Sequence, residues 1–304
     1  MLTKFRNSRL FIYTQAALAV ILWGLSYVWS DQLLVQGIPV EYFVFIRVLF
    51  AGGILMVINL ATGTEIRINR KDLPKFLLLA MFEPLIYFVC ETYGIALTES
   101  PTYSAMIIAT TPLLALVVGI ILFHEKLCFT NVIGFFICLG GILMVTATSS
   151  NVGDRFTLGV ILLLIAVVAE VGQASCTKWL AGDYKPQVIT MYQFILGAIY
   201  LSPMFFTKGL AHFDTELYLS ASVWRPILFL AILCSCLCFT CWVNAIKHLG
   251  VARSAVLQAL IPVVTAIAGF LLGREHLNLM QIGGIATASI GVILSQSMSK
   301  FKKR

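Results

Sequence analysis

Residues 104–127 read SAMIIATTPLLALVVGIILFHEKL, and residues 254–277 read SAVLQALIPVVTAIAGFLLGREHL. At an offset of 150 the two stretches share Ser104, Ala105, Ala109, Pro112, Gly119, Leu122, Glu125 and Leu127 with Ser254, Ala255, Ala259, Pro262, Gly269, Leu272, Glu275 and Leu277. The match continues at Gly134 and Gly141 against Gly284 and Gly291, which makes ten identities without a gap. Each copy is an apolar run of about 20 residues, the length that crosses a bilayer, closed by a carboxylate. Self-similarity at a fixed spacing marks a repeated architectural unit.

Working outward, the rest of the chain has the same character. Of 304 residues, 60% are apolar and 12% charged, with mean hydropathy +0.94. A soluble domain carries about 25% charge, so an ordinary soluble enzyme is excluded, and the apolar content excludes disorder. Ten runs are long enough to span: 10–30, 40–61, 75–95, 101–123, 128–147, 157–179, 186–206, 225–246, 251–273 and 278–297. Backbone groups in lipid must pair within their own segment, and strand-like alternation is absent, so the runs read as helices. The expected class is an all-α membrane protein.

The charges orient it. With the N-terminus inside, 16 of the 21 Lys and Arg fall on inside segments. Arg155, Lys208, Arg225 and Arg274 fall outside, and Arg47 lies within a helix. That bias is the positive-inside pattern, so both termini are expected to be cytoplasmic and the chain multi-pass in the cytoplasmic (inner) membrane. The same bias explains the net charge of +7 better than a nucleic-acid partner does. The repeated elements are helices 4–5 and 9–10, five helices apart. Five is odd, so the copies face opposite ways, as two inverted-topology halves of five helices, residues 1–150 and 151–304. Inverted halves are typical of secondary transporters, since they give two conformations of similar energy open to opposite sides.

These residues also carry a family resemblance. Trp23-Gly24, Pro39, and Phe45-x-Arg47 form an opening pattern. Ser104-Ala105…Pro112…Gly119…Glu125-x-Leu127…Gly134…Gly141 forms a second, which recurs in the other half. Together they resemble the drug/metabolite transporter superfamily, in its ten-helix EamA type. The resemblance implies transport of small metabolites, often export of amino acids or related compounds, with both termini cytoplasmic. The halves differ at one telling place. With Pro186 aligned on Pro39, Phe194 stands where Arg47 would repeat.

Four charges lie within the expected spans: Arg47, Glu83, Glu91 and Glu170. Each costs roughly 2.5–3.5 kcal/mol in hydrocarbon, so each is expected to face the interior or water. From the helical rise, Glu83 and Glu170 lie about 18 and 20 Å deep, near the midplane. Arg47 and Glu91 share an outer level, about 10 and 6 Å deep, and are placed to pair. Arg47 reads either as half of that ion pair or as the receptor of a substrate carboxylate. Glu83 and Glu170 read as sites for an ammonium group or a proton, and protons are a possible coupling ion. Glu83 also precedes Pro84, so it is alternatively the acceptor for a backbone donor freed by a kink. Glu83, Tyr87 and Glu91 follow at i, i+4 and i+8, a polar stripe along one side of a helix.

Trp23, Tyr192, Gln193, Trp242, Asn244 and Gln258 are further intramembrane candidates. The aromatics also read as packing, and Gln193 and Gln258 as bonds between helices. Glu125 and Glu275 precede helices 5 and 10, where a helix N-terminus favours a carboxylate. Pro112 and Pro262 interrupt helices 4 and 9 as hinges or rigid kinks. Eight cysteines include a Cys238-x-x-Cys241 pair, but all sit in or beside apolar runs and read as buried thiols. No nucleophile–base set, metal cluster or cofactor motif is present, and no loop or tail is long enough for a sensor's output domain. The partners expected are a small-molecule substrate and the bilayer. Export of hydrophobic drugs or nucleotide-linked compounds is the alternative, and a nucleotide would call for more basic residues than Arg47.

Overall fold

The computed structural model describes residues 9–115, 129–147, 153–210, 215–250, 254, 257–275 and 277–296. Of the described residues 87% are helical, and no strand occurs among them. The helices are α1 (Arg9–Val35), α2 (Val40–Ala61), α3 (Arg70–Thr98), α4 (Pro101–Ile108), α5 (Phe129–Ala147), α6 (Asp154–Leu180), α7 (Pro186–Gly209), α8 (Ala221–Leu249), α9 (Ile261–Leu271) and α10 (Leu279–Gln296). Six of them, α1, α2, α3, α6, α7 and α8, are long and apolar enough to cross a membrane. The expected spans 101–123, 128–147, 251–273 and 278–297 are represented by shorter helices or lie partly outside the described residues. The outer faces of the helices carry apolar side chains such as Phe136 on α5, Val168 on α6 and Ile199 on α7, all exposed, as a lipid solvent requires. The chain is a multi-pass membrane protein.

Local chemistry sets the ends of the elements. Pro39 and Lys185 hold extended backbone just before α2 and α7, and Pro101 and Pro186 open α4 and α7 where a missing N–H is harmless. Ser100 caps α4 by accepting from the Tyr103 amide at 3.1 Å. Both α3 and α8 contain a stretch wound to i→i+5 hydrogen bonds, Met81–Ile86 and Phe229–Leu237. Such wide turns release side chains and carbonyls from the regular ladder and recur at functional sites. Within the first, Glu83 has extended dihedrals, φ −147° and ψ 119°.

α5 and α10 pack antiparallel with their backbones nearly touching. A Cβ on Gly141 would stand 2.5 Å from the Gly284 oxygen, and one on Gly291 would stand 2.7 Å from the Gly134 oxygen. Only glycine permits that approach. The contact is reciprocal: Gly141 meets Gly284 and Ala288, while Gly291 meets Gly134 and Cys138.

α4 and α9 are interrupted at corresponding places. α4 breaks into a turn at 109–110, and a turn at 259–260 precedes α9. Pro112 and Pro262 lie two residues beyond these turns, and Pro262 sits in the first turn of α9, so the break falls just before each proline rather than at it.

Candidate functional site

The cores of α1, α2, α3, α6 and α8 and the broken regions of α4 and α9 surround a cavity. All four intramembrane charges line it. Arg47, Glu83 and Glu91 are buried, and Glu170 is half-buried. Burial of charge in a span is tolerated where the groups face each other or a polar cavity, and this arrangement does both.

Arg47 does not pair with Glu91. Its Nε–H donates to the Ser235 hydroxyl at 2.8 Å, and its guanidinium lies 4.2 Å from the centre of the Phe88 ring. Glu91 instead accepts from the Tyr87 hydroxyl at 3.0 Å, with the Tyr27 hydroxyl beside both. Ser235 lies on the widened turn of α8, which brings it to the guanidinium. The arginine's charge still reaches Glu83 and Glu91 through space. Its remaining N–H groups make no hydrogen bond among the described residues.

The three carboxylates differ in what holds them. Glu91 is held by tyrosine. Glu170 accepts from the Thr111 hydroxyl at 2.6 Å on one oxygen and from the Gln258 amide on the other. Glu83 makes no side-chain hydrogen bond among the described residues, so it does not serve as acceptor for a backbone donor freed at Pro84. Its extended backbone turns the side chain into the cavity, while the Pro84 ring fits against the bare backbone of Gly197 in α7.

The remaining wall is aromatic. Trp23 donates its indole N–H to the Cys234 carbonyl at 3.1 Å and meets Phe239 and Trp242 edge-on, with centroids 5.2 and 5.1 Å apart. Tyr27, Phe88 and Phe239 line the cavity but were not among the expected residues. Tyr27 follows Trp23 at i+4 and Gln173 follows Glu170 at i+3, so helical spacing alone carried a signal for both. Ser235 and Thr111 carried none: a small hydroxyl residue in a span gains its role only from what folds against it.

Several expected candidates lie elsewhere. Tyr192 packs its ring on Phe76 and donates to the Ile66 carbonyl at 2.9 Å, outside the cavity. Gln193 is fully buried outside the cavity, and neither its amide oxygen nor its nitrogen finds a partner among the described residues, so it forms no bond between helices. Asn244 donates to Gln15 at 2.9 Å and ties α8 to α1. Glu275 does not cap the helix that follows it. It crosses to α4, where the Ser100 hydroxyl donates at 2.6 Å and the Thr102 amide at 3.3 Å, with the Thr102 hydroxyl on its other oxygen. Its own helix has no need of it, because Asn278 and Gln281 exchange side-chain-to-amide bonds of 2.8 and 2.9 Å in a reciprocal cap. Glu125 lies outside the described residues. Cys238 and Cys241 are free and buried in α8.

Comparison with known proteins gives a consistent picture. The model of the EamA-like transporter family matches twice, over residues 10–147 and 157–296. A protein named an uncharacterized transporter from Archaeoglobus fulgidus is 26% identical over 279 residues, covering 91% of this chain and 96% of the relative. The uncharacterized transporter YetK of Bacillus subtilis is 22% identical over 93% of this chain and 86% of its own. A probable terminal-alkyne amino-acid exporter from Streptantibioticus cattleyicolor is 23% identical over 78% of each chain. A crystal structure that aligns over 98% of this chain, with TM-score 0.72 and 15% identity, shares the fold.

Proposed function

The chain belongs to the EamA-like transporter family, and we propose that it is a secondary transporter that exports small zwitterionic metabolites, amino acids or close derivatives, by alternating access. The observation that carries this reading is the cavity whose lining brings together one guanidinium with unused donors, three carboxylates and several aromatic rings. Arg47 receives the substrate carboxylate, because a planar guanidinium matches its two oxygens. Glu83 receives the ammonium group, because it is the cavity carboxylate with no hydrogen bond of its own among the described residues. Trp23, Phe239 and Trp242 take the apolar part of the substrate. Glu170 is the site of proton exchange.

The architecture we propose is ten spans in two inverted halves, 1–150 and 151–304, with both termini cytoplasmic in the cytoplasmic membrane. The double family match supports this, as do the reciprocal α5–α10 contact and the paired interruptions before Pro112 and Pro262. A phosphate-bearing substrate fits less well, since Arg47 is the one basic residue lining the cavity among the described residues. The amino-acid exporter among the relatives favours the same substrate class. Counterflow of labelled amino acids into preloaded liposomes tests it. Uptake above empty liposomes for at least one amino acid or derivative is expected, and no flux across the whole set would refute the substrate class.

A further inference from the structure

A second, smaller cavity lies against the first. The two share Glu170, Gln173, Trp242 and Gln258, so these side chains form the partition between them. The second cavity is displaced along the helices in one direction. On α6 it adds Val171 and Ala174, on α8 it adds Ile246, and beyond the break in α4 it adds Ala115. The first cavity lies the other way, toward Ser26 and Tyr27. The two chambers therefore stand in series, and the way from one to the other runs past Glu170.

Glu170 is held there by two bonds from two different interrupted helices. Thr111 lies just past the break in α4, and Gln258 lies just before the break that precedes α9. In the sequence repeat these segments correspond, 104–112 with 254–262. One carboxylate on α6 thus ties together the equivalent flexible points of the two halves. A helix with a broken hydrogen-bond ladder can swing about the break, and a bond across two such breaks holds both.

We propose that the Thr111–Glu170–Gln258 tie is the inner gate of the transport path, closing the substrate cavity from a vestibule on the cytoplasmic side. This rests on the transporter reading above and adds to it the position of the barrier and the three residues that form it. The assignment of the vestibule to the cytoplasmic side follows from the charge bias, because it lies toward the Leu180 and Leu249 ends of α6 and α8, the ends that carry Lys178 and Lys247. Breaking either bond frees one interrupted helix, and the barrier opens more often.

The test needs no substrate. Ser26→Cys places a thiol in the first cavity, and a small thiol reagent is applied from the cytoplasmic face of sealed vesicles. The rate is corrected for the native cysteines in the parent chain. Thr111→Val and Gln258→Leu should each raise the labelling rate by about tenfold, as loss of one bond to a charged group shifts a two-state equilibrium by that order. Thr111→Ser keeps the donor and should label as slowly as the parent, which separates gating from disturbed packing. Unchanged labelling in both Thr111→Val and Gln258→Leu, or equally fast labelling in Thr111→Ser, would overturn the gate. If gating behaves as stated while no amino acid is transported, the substrate class fails and the gate stands.

Discussion

Replacing Arg47 by Gln isolates the interaction on which the proposed substrate recognition rests. The guanidinium spends Nε on Ser235, rests on Phe88, and leaves its other N–H groups unbonded among the described residues. A carboxylate placed against them would accept two charge-assisted bonds, each worth about 1.5–3 kcal/mol. Gln retains a weaker donor, so the net loss is set at about 3 kcal/mol, or roughly 100-fold in affinity. Competition in counterflow measures it, using an amino acid and the corresponding amino-acid amide, which lacks the carboxylate. In the parent the amide should compete roughly 100-fold less well than the acid. In Arg47→Gln the acid should fall to the level of the amide, while the amide itself barely changes. This is a coupling measurement, so a general loss of folding or turnover cancels. Acid and amide weakened by the same factor would mean that Arg47 acts only through packing on Phe88 and Ser235, and the carboxylate assignment would be refuted.

The other expectations use the same cavity and frame. Glu83→Gln should weaken amino acids by about tenfold, through loss of one charge-assisted bond, yet leave N-acetylated derivatives unaffected; equal weakening of both would remove Glu83 from the ammonium site. Glu170→Gln should make flux independent of pH, measured as counterflow across a pH series, and a variant that still follows pH like the parent would move proton exchange elsewhere. Gly141→Leu should lower the thermal stability of the purified protein by about 3 kcal/mol through overpacking on Ala288 and Gly284. Gly140→Leu, whose added Cβ would meet nothing within 4 Å, should be nearly neutral, and equal effects of the two would contradict the close α5–α10 contact.

The sequence revealed charges and breaks far better than it revealed partners, and the reason is energetic. A charge in a span is expensive, so Arg47, Glu83, Glu91 and Glu170 stand out against their surroundings, and all four line one cavity. What each charge touches depends on rotation and on local winding, and neither is written in composition. Arg47 and Glu91 share a depth, yet the widened turn in α8 carries Ser235 to the arginine, and Tyr87 takes the glutamate. Glu275 precedes a helix, yet Asn278 and Gln281 had already satisfied that end. A spacing rule names the nearest partner along the chain, and here a partner about 175 residues away in sequence wins because α4 presents a hydroxyl and an amide with no better acceptor.

The repeat is more informative than any single motif because it makes predictions about pairs. Under the offset of 150, a contact between Gly141 and Gly284 maps onto one between Gly291 and Gly134. Both are present, each at a distance that only glycine allows. The same operation relates the segment carrying Thr111 to the segment carrying Gln258, which meet on the two oxygens of Glu170. Glu170 itself has no such partner: with Pro186 aligned on Pro39, an offset of 147, its counterpart is Trp23. In the proposed mechanism the symmetric parts build a frame with two breaks, and the unsymmetric residues, Arg47 and Glu170, supply the chemistry. A strictly symmetric pathway would bind its substrate alike from either side. On the proposed mechanism, the departure from symmetry at these two positions gives a direction to the binding groups and a single gate to one side of them.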